Sequence, residues 1–491
     1  MIEQTPKSTT RRILAITLRV GVIILWVVLF GRLLQRDYFV RSLDLREEAV
    51  IKQAREESFS GIYFQEARIG YVKNRLSPTE SGFTLTQEAY MILNILEQNH
   101  PVNLSVSAEL TPEMLLRNFK FSLHSPFTTM KAEGEVNGSV VSFRLNTGKD
   151  TITDSIKLTS PPFISSNSRG YLLKQNLVEG EKFKVPYFDP ITLAGKDTIM
   201  EYRGYDKIVV GGRISRLHHF TQTFYGMEIN SWLDETGKVI KEESPAGFVF
   251  LSEPEFMATD IDRSGKEILS SVSVPITGTM PEDYQTATQA RYRLTYPSEA
   301  EVSVNQDRQS LTGDLLTITR ETLPEHTALT CTGPAESLAS TPYIQSKNIQ
   351  ISNITGQLLG EDEPGLNRVR ILAEWVYNNL DRRPVLGIPD ALTTLETRQG
   401  DCNEHAALFA ALARNAGVPT RVVAGVTFHA GAFYYHAWNE VCLDNQWLSL
   451  DTTLNQLPAD VSHIKFVQGE TGEMIKIGGL LGRLKIEIAP Q

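Results

Sequence analysis

Gly400-Asp401-Cys402-Asn403-Glu404-His405-Ala406-Ala407-Leu408-Phe409 is the stretch on which the reading of this chain turns. From Ala406 to Ala413 the residues are apolar and strongly helix-forming, and Gly417 and Pro419 end the run, the pattern of a helix buried on all sides. Asp401 with Glu404 three positions on can form a capping box, so the spacing predicts a helix that starts at Cys402. A thiol in that first turn would feel the positive end of the helix dipole, which favours the thiolate.

Downstream the periodicity changes from 3.6 to 2. Tyr434, His436, Trp438, Glu440 and Cys442 alternate along one predicted strand; Asp444-Asn445 is a turn dipeptide; Trp447, Ser449 and Asp451 alternate along the return strand. With a two-residue turn, Leu443 pairs with Gln446 and Trp438 with Asp451, so Asp451 shares a face with His436 and lies diagonal to it. A carboxylate there can fix the imidazole tautomer while the other ring nitrogen faces a thiol. Cys402, His436 and Asp451 are therefore the candidate catalytic residues.

These residues resemble a known family. Gly400-Asp401-Cys402, Glu404-His405-Ala406, Arg414 to Arg421 (Arg-x-x-Gly-Val-Pro-x-Arg), His436-Ala437-Trp438-Asn439-Glu440-Val441 and Trp447 before Asp451 are similar to the transglutaminase-like cysteine enzymes, over roughly Pro342 to Gln468. The resemblance implies a papain-like α/β core, Cys402 as nucleophile, His436 as general base and then acid, and Asp451 as the orienting residue. It implies a peptide or protein substrate and cleavage or transfer at a peptide or carboxamide bond through a thioester, with hydrolysis expected over cross-linking. The family often has proline after the aspartate where this chain has Thr452, which leaves the exit of the hairpin open. A rival expectation is a catalytically silent binding or assembly protein that uses this fold as scaffold.

Other candidates carry less chemistry. His405 stands three residues along the helix from Cys402 and is expected to pack or bond locally. Glu404-His405 lacks a second histidine at metalloprotease spacing, and His218-His219 has no ligand cluster around it, so no metal and no cofactor are expected. Trp438 and Trp447 read as hairpin core or as cleft lining.

The 491 residues allow two or three domains, with ordinary apolar (41%) and charged (22%) fractions. Residues 58–491 hold 38 Lys+Arg against 51 Asp+Glu, a formal charge of −13, which leaves no electrostatic footprint for nucleic acid. Three cysteines, Cys331, Cys402 and Cys442, are too few for a disulfide framework, although a Cys331–Cys442 bridge is conceivable. Residues 13–35 are apolar apart from Thr17, Arg19, Arg32 and Gln35, and predict a membrane-crossing helix after a cytoplasmic tail (1–12), with a juxtamembrane helix over 36–57. With that span the chain looks like a bacterial, single-pass member whose bulk is extracytoplasmic (periplasmic).

Between these ends, turn pairs such as Asn137-Gly138 and the Ser231–Val239 segment predict hairpins, so 58–275 reads as a mainly antiparallel β domain. Glu88 to Gln98 and Pro112 to Phe119 fit either helix or strand. The domain faintly resembles the half-barrels of exported lipid carriers and would act as a binding module or a spacer. Residues 276–340 read as a small β linker unit and 341–491 as the catalytic domain, in which Pro364 begins a helix. The expected class is α+β: transmembrane helix, antiparallel β domain and papain-like domain.

Overall fold

The computed structural model describes residues 41–42, 56–95, 98–126, 128–147, 151–165, 169–173, 177–210, 212–261, 273–323, 331, 335–360, 362–385 and 387–490. Antiparallel strands dominate it. Eight strands from Glu56–Phe64 to Thr151–Lys157 follow one another in a meander, and six more run from Lys182–Asp189 to Phe248–Glu253. Phe248–Glu253 pairs with Phe59–Phe64 and joins both meanders, and Arg41–Ser42 lies parallel to Phe183–Lys184, giving a 15-stranded sheet. Alternation makes this possible: in Thr129–Asn137, Met130, Ala132 and Gly134 face inward while Thr129, Lys131 and Glu133 face water. The inward residues, among them Leu85, Val106, Phe119, Phe121, Val141, Leu145 and Phe188, form one core. Asn137 pairs with Val140, so Gly138 and Ser139 make the turn, one residue later than the Asn-Gly pair suggests, with Gly138 at φ 60°.

Two smaller sheets follow. Gln289–Thr295, Gln309–Thr312 and Leu315–Thr319 form a sheet completed by Ile276–Thr277 and by Lys485–Ile488 from the far end of the chain. The second has the order Gln446–Leu450, Ala432–Leu443, Thr420–His429, Ile464–Gln468, and carries the helices Ile349–Leu358, Gly365–Asn379, Ala391–Thr397 and Cys402–Asn415. In Gly365–Asn379 the helical-period residues Leu366, Val369, Leu372, Ala373 and Val376 are buried, as their spacing predicts.

The expected fold class needs correction. Mostly antiparallel β replaces the α+β balance, because the long helices gather around the Cys402 helix while every element from Glu56 to Lys157 is strand; of the two ambiguous segments, Glu88 to Gln98 is strand as far as it is described, and Pro112 to Phe119 is a turn that enters a strand at Leu116. Among the described residues no helix is long and apolar enough to cross a membrane, so the single-pass anchor and the membrane localisation drawn from it are withdrawn. The 13–35 segment itself falls outside the described residues, as does most of 36–57, whose described parts at Arg41–Ser42 and from Glu56 onward are strand.

Candidate active site

Cys402 is the first residue of the helix Cys402–Asn415. Asp401 caps it in the predicted box: its side chain accepts from the Asn403 N–H at 2.8 Å, and the Glu404 carboxylate accepts from the Asp401 N–H at 2.9 Å. Gly400 is required by close approach, since a Cβ there would stand 2.3 Å from Glu404 Cβ. Behind the cysteine, Ala406 to Ala413 are all buried.

The hairpin has the expected register. Leu443 pairs with Gln446, Cys442 with Trp447 and Asn439 with Leu450, with Asp444 and Asn445 both at positive φ in the turn. His436 Nε2 lies 2.7 Å from Asp451 Oδ2, and Asp451 is fully buried. Cys402, His436 and Ala437 line the same cleft, and the thiol lies near enough to the imidazole and the Ala437 backbone N–H for both to act on its ionisation. With Nε2 on the carboxylate, Nδ1 is the ring nitrogen left for the thiol. After Asp451 the chain turns at once: the N–H groups of Thr453 and Leu454 donate to Asp451 Oδ1 at 2.7 and 3.1 Å, which forms the hairpin exit without proline.

One partner has no sequence signal. His463, on the loop before Ile464–Gln468, is fully buried, with Nε2 3.0 Å from Asp451 Oδ2 and Nδ1 3.0 Å from Asp460 Oδ1. Carboxylates only accept, so the ring donates from both nitrogens and is an imidazolium. Arg308, from the small sheet, holds this loop by donating to the carbonyls of Ala459, Asp460 and His463. Trp438 is buried beside both rings, stacked with His436 and edge-on to His463.

The electrostatics are those of a coupled buried pair. Burial acts to lower the His436 pKa, but the Asp451 charge and the Cys402 thiol outweigh it and hold the imidazole up at about 10. Burial pushes the Cys402 thiol up and Asp401 adds to this, while His436 and the Ala437 N–H pull it down; the net shift is upward. The helix terminus alone therefore does not set the thiol, contrary to the expectation from its position. Burial would raise the Asp451 carboxyl, yet the two histidines hold it far below the usual carboxylate range.

A model of the transglutaminase-like superfamily matches residues 352–452, a segment containing all three candidate residues. This segment belongs to the transglutaminase-like superfamily. An uncharacterized protein of Haemophilus influenzae is 30% identical over 100 residues, 19% of this chain and 27% of the relative, so the match spans about a quarter of that protein's length. Among solved structures, a "putative cysteine protease" from Cytophaga hutchinsonii is 16% identical with TM-score 0.27, covering 44% of this chain and 83% of the other. A beta-barrel-like domain of unknown function from Brucella abortus is 12% identical with TM-score 0.32, covering 42% and 97%.

The transglutaminase-like segment has a fold of the thiol-enzyme type, and its other singled-out residues have local roles. His405 is buried and bonds its own helix turn through Nδ1 to the Asp401 carbonyl at 2.7 Å. Trp447 lies under the Arg421 guanidinium, 4.0 Å from its centroid. His218 meets Tyr202 and Glu235 on the β domain, far along the chain from this segment. Ligand atoms of His436, Asp451 and His463 lie within 4.8 Å of one another, a spacing that could hold a metal, but both imidazoles already share Asp451 Oδ2.

The cleft that Cys402 and His436 open onto has a volume of about 480 Å3. Its walls include Ile388 and Met474 of the C-terminal region and, unexpectedly, Leu123, Met130 and Ile191 of the 15-stranded sheet.

Proposed function

We propose that this protein is a thiol acyl-transfer enzyme in which Cys402 attacks a peptide or carboxamide carbonyl, with hydrolysis of the resulting thioester. The observation that carries the proposal is a cysteine heading a capped helix and sharing a cleft with a histidine whose Nε2 lies 2.7 Å from a buried carboxylate. Cys402 and His436 share one proton in the reacting form, and that proton resides on His436 Nδ1 as the sulfur bonds to the carbonyl carbon and an electron pair moves onto oxygen. The C–N bond then breaks, and His436 returns the proton to the leaving nitrogen. In the second half His436 takes a proton from water, the hydroxide displaces sulfur, and the products are a carboxylic acid, an amine and the regenerated thiol. The Cys402 N–H, one of the donors that helix geometry leaves without an intrahelical acceptor, is the first oxyanion donor. Asp451 holds the ring orientation throughout and stabilises its cationic form.

Hydrolysis is favoured over cross-linking because water is always available, whereas an acceptor amine needs its own site. The test is amine and ammonia release from a panel of peptides and carboxamides by the full chain and by Cys402→Ala. Release by the parent and none by the variant supports the proposal. Equal background from both, with Cys402 intact, leaves the segment as a scaffold.

A further inference from the structure

The cleft beside Cys402 is built by two parts of the chain that the sequence keeps far apart. Leu123 and Met130 come from paired strands of the large sheet, and Ile191 from the turn between Lys182–Asp189 and Ala194–Val210. Opposite them stand Ile388, Met474 and Ile477. The two sides touch: a Cβ on Gly387 would lie 3.1 Å from Met130 Sδ, and Ile388 packs on the core of the large sheet. Ile191 is 41% exposed at the lip. It also borders a second cavity of about 280 Å3 within the curved sheet, so its turn is the partition between the two spaces.

The lining has no Asp, Glu, Lys or Arg among the described residues. Apart from His436 and the Tyr435 hydroxyl beside it, a charged group entering would lose its hydration against aliphatic walls, whereas an aliphatic side chain would gain about 25 cal/mol for each Å2 it buries. Besides Cys402 and His436, the polar side chains of the lining are Thr192, Asn403 and Tyr435, which a peptide backbone could use and an alkyl chain could not. We infer that the large β domain is the specificity element of this enzyme: it grips a peptide substrate through a bulky aliphatic residue next to the reacting carbonyl, seated between Ile191, Met130 and Leu123 on one side and Ile388, Met474 and Ile477 on the other. This rests on the proposed chemistry at Cys402 and adds the class of substrate.

Cysteine-directed probes separate the two ideas, because Cys402 is the free thiol while Cys331 and Cys442 are bonded to each other. The full chain is treated with iodoacetamide, with a leucyl chloromethyl ketone peptide, with its aspartyl counterpart and with a hexadecyl chloromethyl ketone, and the rate of Cys402 adduct formation is read by mass spectrometry. In each case the sulfur displaces halide. The leucyl probe should react about tenfold faster than the aspartyl one. Ile191→Asp, at an exposed turn, should bring that ratio close to one, each peptide rate being divided by the same variant's iodoacetamide rate, and Ile191→Ala should lower it part-way. A ratio near one in the parent, with iodoacetamide labelling fast, overturns the inference and leaves the thiol chemistry standing. A hexadecyl probe faster than the leucyl one also overturns it, in favour of a lipid substrate. Iodoacetamide labelling no faster than that of free cysteine removes the proposed chemistry and the inference with it.

Discussion

Asp451 accepts four hydrogen bonds, two from histidines and two from backbone N–H groups, and that count decides what its replacement does. Asp451→Asn keeps the shape but turns one oxygen into a donor facing imidazole nitrogens, so the His436 tautomer is disturbed and its raised pKa falls. Turnover should drop about 10³- to 10⁴-fold, with the circular dichroism spectrum unchanged; undiminished turnover would take Asp451 out of the mechanism. His463 acts on the same carboxylate from the other side. Its imidazolium shares the Asp451 charge, so His463→Gln leaves more of that charge to His436, and the alkaline limb of the Cys402 alkylation profile should move to higher pH. A purely structural His463 would leave that limb in place. The stability effect has a sign of its own. Burial lowers the His463 pKa, but Asp451 and Asp460 raise it further, so its folded value exceeds the unfolded one. The stabilisation is complete below the unfolded value of about 6.5 and fades as pH rises through the raised one. Asp451 and Asp460 are held low instead, so their share is present above about 4 and lost as pH falls further. Between these limits, near pH 5 to 6, the parent should exceed His463→Gln by about 3–5 kcal/mol in urea unfolding, narrowing above pH 7.

Among elements, the hairpin from Ala432 to Leu450 shows how far local sequence reaches. A two-residue turn fixes every pair along both strands, so the meeting of His436 with Asp451 could be derived from the turn alone. The capped Cys402 helix was legible for the same reason, since its box spans four residues. His463 was not, because the segment between Asp451 and Ile464 has neither period and reaches Asp451 through the fold. The thiol's raised pKa was equally hidden, because burial is a property of packing, whereas a helix terminus can be read from sequence. The wall at Ile191 lies further still from any local pattern. The bridge between Cys331 and Cys442, with Cα atoms 5.9 Å apart and 111 residues of separation, pins the segment after the small sheet to the hairpin. Replacing both by alanine should lower unfolding stability by about 2–4 kcal/mol. The Cys402 labelling rate should change little, because the His436 strand stays paired with neighbours on both sides. Loss of labelling would instead make the bridge part of the site's alignment.

At the scale of the whole molecule, the question is whether the large sheet and the transglutaminase-like segment unfold as one body. Domains in one chain move independently unless a large apolar interface joins them. Here Tyr343 and Ile388 pack on the core of the large sheet, and Thr147 Oγ1 lies 2.8 Å from Thr393 Oγ1. Arg483 donates to the Gly226 carbonyl at 2.6 Å, and Lys196 pairs with Glu301. The small sheet is bound as firmly to the segment, since its Asp307 shares a buried cluster with Lys465, Glu440 and Arg421, and its Gln309 bonds the Lys465 carbonyl. The strand Lys485–Ile488 pairs with both Ile276–Thr277 and Gln289–Thr295, so residues beyond the transglutaminase-like segment return to that sheet. Calorimetry of the full chain should therefore give one cooperative transition, with the Ile191 turn unfolding together with the Cys402 helix. Two resolved transitions would mean that the β domain is only tethered beside the cleft. A tethered domain could not hold Ile191 in register with Cys402, and selectivity for an aliphatic residue would then have to come from the catalytic side alone.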